Sequence, residues 1–159
     1  MEKIVVGADS YGFPLKEAIK EYLHNNDYKI IDCGVDSTEN VTPYYTIASD
    51  VAKRIVNGEF ERGILVCGTG MGMSIIANKH PGIYASVCES TFAAEKSRSI
   101  NNSNVLTLGA MVTTVSVATD IVDVWLNTEF TKGWEISIQE WLQNSMNDIS
   151  SFEDKQFGS

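Results

Sequence analysis

The chain has 159 residues and a formal net charge of −9, a size that suits one domain with one hydrophobic core. Hydrophobic residues make up 43% of the sequence and charged residues 21%, which is the composition of a globular protein rather than of a disordered one. The negative charge disfavours binding to nucleic acid or to an anionic membrane surface. We therefore expect a small-molecule ligand, and a local basic pocket if that ligand is an anion.

Short apolar runs alternate with amphipathic stretches of ten or more residues along the chain. This alternation is typical of βαβ units and predicts an α/β fold with a parallel sheet. The predicted strands are residues 3–8, 29–33, 63–67, 85–88 and 105–108. The predicted helices are residues 14–25, 45–57, 72–79, 90–99, 115–126 and 135–147.

The sequence predicts a single domain over residues 1–147. Residues 148–159 are polar and lack a hydrophobic period, so we expect a C-terminal tail that is frayed or lies on a neighbouring subunit. The amino terminus enters an apolar run without a basic segment or a cleavage site, and no apolar run approaches the roughly 20 residues of a membrane span. These features predict a cytoplasmic protein with no membrane partner.

The three cysteines, Cys33, Cys67 and Cys88, are odd in number and lack the CxxC spacing. They fit neither a disulfide framework nor a structural zinc site. Only two histidines accompany them, so we expect no catalytic metal. Core packing is the expected role of Cys33 and Cys88, whereas Cys67 stands in a different context.

The segment Cys67-Gly68-Thr69-Gly70-Met71-Gly72-Met73-Ser74 follows the third predicted strand. Its three glycines allow backbone N–H groups to converge on an oxyanion, at an edge of the sheet where ligands bind in this fold class. It matches neither common phosphate loop, because G-x-G-x-x-G fails at Ile75 and no Gly-Lys-Ser/Thr follows. The segment therefore predicts oxyanion stabilisation and disfavours a nucleotide cofactor.

Cys67 stands where a strand ends and this donor-rich turn begins, a placement that favours the thiolate and predicts a base or a nucleophile. Thr69 and Ser74 add hydroxyls, although helix capping explains Ser74 equally well. Asp9 follows the first strand, where its carboxylate could bind sugar hydroxyls or move a proton. Capping of the next helix is the alternative for Asp9.

Further motifs extend over residues 3–142 of the chain. They are Gly7-Ala8-Asp9, Leu15-Lys16-Glu17, Ile31-Asp32-Cys33-Gly34, the segment 62–74, Ala77-Asn78-Lys79, Pro81-Gly82-Ile83, Asn104-Val105-Leu106 and Trp125-Leu126-Asn127-Thr128-Glu129-Phe130. With these motifs the chain resembles the type B ribose-5-phosphate isomerases and the galactose-6-phosphate isomerase subunits, which are sugar-phosphate isomerases of carbohydrate metabolism. The long central segment is the most specific part of the resemblance.

The resemblance implies a cofactor-free aldose–ketose isomerase with a Rossmann-like three-layer αβα sandwich and a five-stranded parallel sheet. It also implies a homodimer or tetramer whose active sites are shared between subunits. By resemblance, Cys67 moves a proton between C1 and C2 through a cis-enediolate, while Asp9 and Thr69 serve ring opening and Asn101 contacts substrate hydroxyls. The remaining implied substrate-binding positions near these residues are Ser10, Gly68, Gly70, Met71, Gly72 and Ser74.

The chain departs from the family pattern at several positions. Ser10 replaces the histidine of a first-loop Asp-His pair, and Ile100 replaces a ring-opening histidine. Arginines that hold a phosphate in the family are replaced by the substrate-binding candidates Met111, Trp134 and Ile138, and another family arginine is replaced by the candidate Tyr84. A phosphate without charge-assisted bidentate partners is held weakly, so the set of changes predicts a different ligand.

Three hypotheses follow from these observations. The first is an active isomerase for a non-phosphorylated or otherwise different sugar, or for a phosphate held by new contacts such as Lys16, Lys96 or Lys132. The second is a non-catalytic or half-catalytic subunit that completes active sites with a paralogous partner. A redox role for Cys67 is disfavoured because no resolving cysteine is near it in sequence. Tyr84 and Trp134 could present aromatic faces to a sugar, or they could pack an interface.

Overall fold

The computed structural model describes residues 2–158. Its strands are β1 (Lys3–Ala8), β2 (Lys29–Asp32), β3 (Arg62–Cys67), β4 (Ala85–Val87) and β5 (Val105–Gly109). Its helices are α1 (Phe13–Asn25), α2 (Tyr44–Val56), α3 (Met71–Ala77), α4 (Thr91–Ser99), α5 (Val115–Asn127) and α6 (Ile136–Phe157). None of the helices within this range combines the length and the apolarity that crossing a membrane requires.

The strands form one parallel sheet in the order β2-β1-β3-β5-β4. Val6 pairs with Ile64, and Ile64 pairs with Leu106, across the three central strands. These strands are almost wholly apolar and buried on both faces, as is usual for a parallel sheet covered by helices. The predicted Rossmann-like three-layer αβα sandwich with five parallel strands is confirmed.

Alternate residues of each strand face opposite sides of the sheet and feed two separate cores. On one side, Ile64 and Leu106 pack with α1, α4 and α5, around the fully buried Trp125. On the other side, Leu65 and Cys67 pack with α2 and α3. Cys67 therefore faces the side of the sheet that α2 and α3 cover.

The strand order reverses around β3. The helices that follow β1 and β5 cover one face of the sheet, whereas α3, which follows β3, covers the other. A crevice forms where neighbouring strands send their connections to opposite faces, and ligands in open α/β sheets bind there. The loops after β1, β3 and β5 all open into this crevice.

The predicted element boundaries agree with the structure to within one or two residues, except at the end of the last helix. Helix α6 continues to Phe157, so the predicted helix end at Asn147 is wrong and residues 148–157 are not irregular. Ile149 and Phe152 lie three residues apart, and neither Gly nor Pro interrupts the segment before Gly158. Gly158 ends the helix with a left-handed conformation, φ 66°, a common helix stop. Ser159, the last residue of the predicted tail, lies outside the described residues.

Candidate active site

Cys67 is the last residue of β3, and its side chain is buried. Its Sγ accepts a hydrogen bond from the backbone N–H of Gly70 at 3.2 Å. Gly70 has φ 77°, a left-handed conformation that residues with a Cβ seldom adopt. A Cβ at Gly70 would also lie only 2.9 Å from the carbonyl carbon of Leu108. Glycine at this position therefore lets the loop turn an N–H donor back onto the sulfur, and such a donor stabilises a thiolate.

Asp9 follows β1 directly and is only 8% exposed. Its Oδ1 accepts a hydrogen bond from the N–H of Gly12 at 2.9 Å. Gly12 lies against β3 so closely that a Cβ there would overlap the Val66 carbonyl group and lie 2.9 Å from the Cys67 nitrogen. This backbone contact places the Asp9 carboxylate beside the end of the strand that carries Cys67.

A cleft of about 360 Å³ opens at the carboxyl ends of the strands. This volume is within the range of small-ligand sites. The residues that line it are Asp9, Tyr11, Tyr44, Cys67, Gly68, Thr69, Gly72 and Met111. Asp9 is the charged group among these lining residues, and none of them is a lysine or an arginine.

Met111 belongs to the same loop cluster as Cys67. Its N–H donates to the carbonyl of Gly68 at 2.9 Å, and its sulfur lies 3.3 Å from the position that a Cβ on Gly68 would take. Thr69 accepts a hydrogen bond on Oγ1 from the N–H of Met71 at 3.3 Å. The structure thus brings together Cys67, Thr69 and Met111, three residues that the sequence singled out.

Tyr11 and Tyr44 also line the cleft. Tyr11 belongs to the candidate segment Asp9-Ser10-Tyr11-Gly12 but was given no role, and Tyr44 was not a candidate. Tyr44 begins α2, and a Cβ at Gly72 would lie 2.7 Å from its Cε2. The missing side chain at Gly72 is thus what allows α2 to approach α3 at the mouth of the cleft. The sequence contains no signal that pairs Tyr44 with Gly72, whereas Tyr11 could have been found from its place two residues after Asp9.

Three other predicted site residues near the Cys67 loop do not line the cleft. Ser74 donates its hydroxyl to the carbonyl of Ala85 at 3.4 Å, so the structure does not bring it to the cleft. Ser10 is half-buried between Asp9 and Tyr11, and Met71 is exposed at the start of α3.

Four predicted substrate-binding residues lie at the opposite, amino edge of the sheet. Helix α4 starts beyond β4 and returns to this edge, where Asn101 follows it and β5 begins. Tyr84 directly precedes β4, and its N–H donates to the side chain of Asn104 at 2.8 Å. Trp134 lies in the segment between α5 and α6, and Ile138 lies in the first turn of α6.

The segment after α5 is tied to the amino edge by a backbone hydrogen bond of 3.0 Å from the N–H of Thr131 to the carbonyl of Ser99. A cavity of about 610 Å³ at the same edge is lined by Tyr84, Arg62, Arg98 and neighbouring residues. Within one chain, the structure therefore does not bring Tyr84, Asn101, Trp134 or Ile138 to Cys67.

Cys33 and Cys88 lie in environments that keep a thiol protonated. Burial raises the pKa of the Cys33 thiol and that of the Cys88 thiol, although a hydrogen bond with Ser97 opposes the shift at Cys88. Both side chains pack against the cores, as expected for structural cysteines. Over residues 2–158, no three histidine, cysteine, aspartate or glutamate side chains are grouped as a metal site would need.

The sequence pattern of the ribose/galactose isomerase family matches residues 4–140. The chain is 43% identical to the 4-deoxy-4-sulfo-D-erythrose isomerase of Clostridium sp. (strain MSTE9), over 96% of each chain. It is 41% identical to the D-erythrulose-4-phosphate isomerase of Pectobacterium atrosepticum, over 84% of this chain and 88% of that protein. The structure of Clostridium thermocellum ribose-5-phosphate isomerase B superposes with a TM-score of 0.88 at 39% identity, covering 97% of this chain and 99% of the other. The cysteine and glycine loop described above thus belongs to a sugar isomerase, and the chain is a member of the ribose/galactose isomerase family.

Proposed function

We propose that this protein is an aldose–ketose isomerase for an open-chain, four-carbon sugar that carries an anionic group on C4, with Cys67 as the base. The observation that carries the proposal is the position of Cys67 Sγ, which accepts the Gly70 N–H at 3.2 Å and lines the same cleft as Asp9. A cysteine sulfur that accepts an N–H, beside a loop of further backbone N–H groups, suits removal of a proton next to a carbonyl.

The reaction moves one proton between carbons and one between oxygens. The Cys67 thiolate takes the proton from C2 of the aldose, the C1–C2 double bond forms, and the carbonyl oxygen on C1 becomes the negatively charged oxygen of a cis-enediolate. The thiol then returns its proton to C1, and the proton of the C2 hydroxyl passes to the oxygen on C1, so that C2 becomes the ketone. Backbone N–H groups of the glycine loop stabilise the enediolate oxygens, and Asp9 holds a substrate hydroxyl.

The size and form of the substrate follow from chemistry and from the relatives. Two of the relatives act, by name, on 4-deoxy-4-sulfo-D-erythrose and on D-erythrulose 4-phosphate. A four-carbon aldose closes a furanose ring only through a free hydroxyl on C4, so a sulfonate or phosphate ester at C4 keeps the chain open. Ring opening is then unnecessary, which accounts for Ile100 at the position where the family resemblance places a ring-opening histidine.

We further propose that each active site takes residues from two copies of the chain. Asn101, Trp134 and Ile138 lie at the amino edge of the sheet, whereas Cys67 and Asp9 lie at the carboxyl edge. A substrate can contact both groups only where the amino edge of one copy meets the carboxyl edge of another. A C2 dimer makes two such contacts at once.

Replacement of the base tests the proposed mechanism. In Cys67→Ala, we expect kcat for isomerisation of 4-deoxy-4-sulfo-D-erythrose to fall by about 10²–10⁴-fold, the usual contribution of a general base. Cys88→Ala removes a buried thiol from the other core and should leave kcat within about twofold, because Cys88 does not touch the substrate. Unchanged turnover in the folded Cys67→Ala variant would refute Cys67 as the base.

A substrate comparison separates the remaining alternatives. The purified protein should isomerise the C4-sulfonated tetrose with a higher kcat/KM than D-ribose 5-phosphate, whose ring must first be opened. Preference for ribose 5-phosphate would overturn the four-carbon assignment. Activity that appears only after a paralogous chain is added would instead support the half-catalytic subunit.

A further inference from the structure

The carboxyl-edge cleft has no positive charge among its lining residues. The net charge of the chain is −9, so an anionic group on the substrate would meet an unfavourable field without a cation close to it. Any cation that holds this group must therefore come from outside the cleft of a single chain. Two lysines lie near Trp134 and are candidates for this role: Lys96, over its ring, and Lys132, two residues before it.

The arginines are committed to contacts within the chain. Arg54 pairs with Asp50 and Glu59. Arg62 pairs with Glu2 and donates to the carbonyl of Leu126 at 2.9 Å.

Arg98 donates to the backbone carbonyls of Ser103 at 2.6 Å and Thr128 at 3.2 Å. Lys16 is 1% exposed and pairs with Asp32 at 2.7 Å on the α1 side of β2, so it is not free either.

Lys96 has a different environment. Its ammonium lies 5.5 Å from the ring centre of Trp134 and 5.4 Å from that of Phe92. Its ionic partner is the adjacent Glu95, at 2.8 Å, and the Lys96 side chain is 32% exposed. An exposed pair between sequence neighbours contributes little, so Lys96 can exchange Glu95 for another anion.

The indole of Trp134 supplies an independent observation. Its Nε1 is buried and has no hydrogen-bond acceptor within residues 2–158. A buried donor without an acceptor is costly, and the Lys96 ammonium lies over the same ring. An anion that binds both groups would pair with the ammonium and also accept the orphaned N–H.

We propose that Lys96 and the Trp134 N–H bind the anionic end of the substrate while its carbonyl end lies on Cys67 of a second copy. This inference rests on the proposed function and identifies the two groups that bind the anionic substituent on C4. A sulfonate carries one negative charge, which a single ammonium balances, and the neutral indole N–H adds a hydrogen bond without excess charge. The pair therefore suits a sulfonate better than a phosphate dianion.

Kinetics of a matched set of variants tests the role of Lys96. Lys96→Ala should raise KM for 4-deoxy-4-sulfo-D-erythrose at least tenfold while kcat stays within about twofold, because the lost contact is remote from the reacting carbons. KM for 4-deoxy-D-erythrose, which is uncharged and also stays open, should be unchanged. Lys96→Arg should restore most of the affinity, and Lys29→Ala, an exposed lysine on β2, should behave as the wild type. An equal change for both sugars, or none, would overturn the inference.

An NMR titration separates failure of this inference from failure of the proposed function. The probe is the alcohol made by reducing the aldehyde of 4-deoxy-4-sulfo-D-erythrose, which cannot isomerise. We expect the Trp134 indole N–H signal, assigned with Trp134→Phe, to move with this probe and to stay in place with erythritol. If the amides of Gly68 and Thr69 respond but Trp134 does not, the anion site is wrong and the isomerase site stands. If neither group responds, both proposals are wrong.

Discussion

At the scale of single residues, the candidate site depends on backbone contacts that a side chain would prevent. Gly12 touches the end of β3, and a Cβ at Gly109 would lie 2.5 Å from the carbonyl carbon of Thr69. These contacts hold the loops after β1, β3 and β5 against one another. The distance between Asp9 and Cys67 is thus set by glycines that carry no chemistry themselves.

Two glycine substitutions should distinguish destabilisation by steric overlap from destabilisation by an unfavourable backbone dihedral angle. Gly12→Ala introduces an overlap with the Val66 carbonyl without a dihedral penalty, because Gly12 has φ −85°. Gly58→Ala meets nothing within 4 Å but must adopt φ 77°. We expect Gly58→Ala to lower the free energy of unfolding by about 1–2 kcal/mol and Gly12→Ala to lower it by more, with a loss of kcat that Gly58→Ala does not share. Urea titration and steady-state kinetics would measure both, and equal stability of the two variants would contradict the steric argument.

At the scale of elements, an ion pair between a buried lysine and a partly exposed aspartate joins α1 to the edge strand β2. The Lys16 ammonium donates to the carbonyl of Val35 at 2.6 Å and pairs with Asp32 at 2.7 Å. Burial alone would raise the pKa of the Asp32 carboxyl, but hydrogen bonds from Lys16, Lys20 and the Gly34 N–H outweigh it and lower the pKa. The pair anchors α1 and the chain after β2, which passes close to the end of β1 at Val35.

This pair predicts an acid-sensitive contribution to stability. The pKa of Asp32 is lower in the folded state than in the unfolded chain. The Asp32 carboxylate therefore stabilises the fold fully above the unfolded-state pKa of about 4, and this stabilisation is lost as the pH falls through the folded-state pKa. Asp32→Asn should cost about 1.5–3 kcal/mol at pH 7, since the buried Lys16 loses a carboxylate at 2.7 Å and keeps only the Glu17 carboxylate at 3.4 Å. The variant should also flatten the dependence of unfolding free energy on pH below about 4.

Glu17→Gln is the matched control for Asp32→Asn. Glu17 approaches the same ammonium at 3.4 Å but is 43% exposed, so its loss should cost no more than about 1 kcal/mol. Denaturant titrations from pH 3 to 7 would compare the two variants with the wild type. If Glu17→Gln lowered the free energy of unfolding more than Asp32→Asn does, the short contact between Asp32 and Lys16 would not be the stronger of the two ion pairs.

At the scale of the whole molecule, the chain exposes several large apolar side chains close to both parts of the proposed shared site. Met111 is 68% exposed at the cleft, Phe92 is 69% exposed beside Lys96, and Trp141 is 65% exposed on α6. Only Leu142 of the 22 residues of α6 is buried. The proposed active site between two copies would cover exposed side chains of this kind, because contacts between chains commonly bury apolar surface.

Complementation between two defective variants would test the shared site directly. Cys67→Ala should be inactive, and Asn101→Ala should be impaired, because each loses one part of every site. A heterodimer of the two, isolated with different affinity tags, contains one site with both parts intact and should recover about half of the wild-type kcat per dimer. A heterodimer no more active than the average of its two parent variants would show that each chain forms its site alone.

The fold class and the positions of the strands and helices could be predicted from the sequence alone, and the hypothesis that the chemistry centres on Cys67 came from the sequence as well. Alternating apolar runs marked β1 to β5 because a parallel sheet buries both of its faces. The glycines that follow Cys67 predicted a tight loop, because the conformational freedom of glycine depends only on local sequence. The last turns of α6 were not predicted, because two apolar residues in an otherwise polar segment are too few to show a helical hydrophobic period.

Tertiary structure decided which residues can meet. The sequence pointed to Asn101 from its place just before β5 and to Trp134 through the family resemblance. The fold shows that one chain holds both at the edge of the sheet opposite Cys67. The approach of Tyr44 to Gly72 and of Lys96 to Trp134 joins side chains on separate elements. Such contacts depend on how elements pack rather than on local sequence, so only the folded chain determines them.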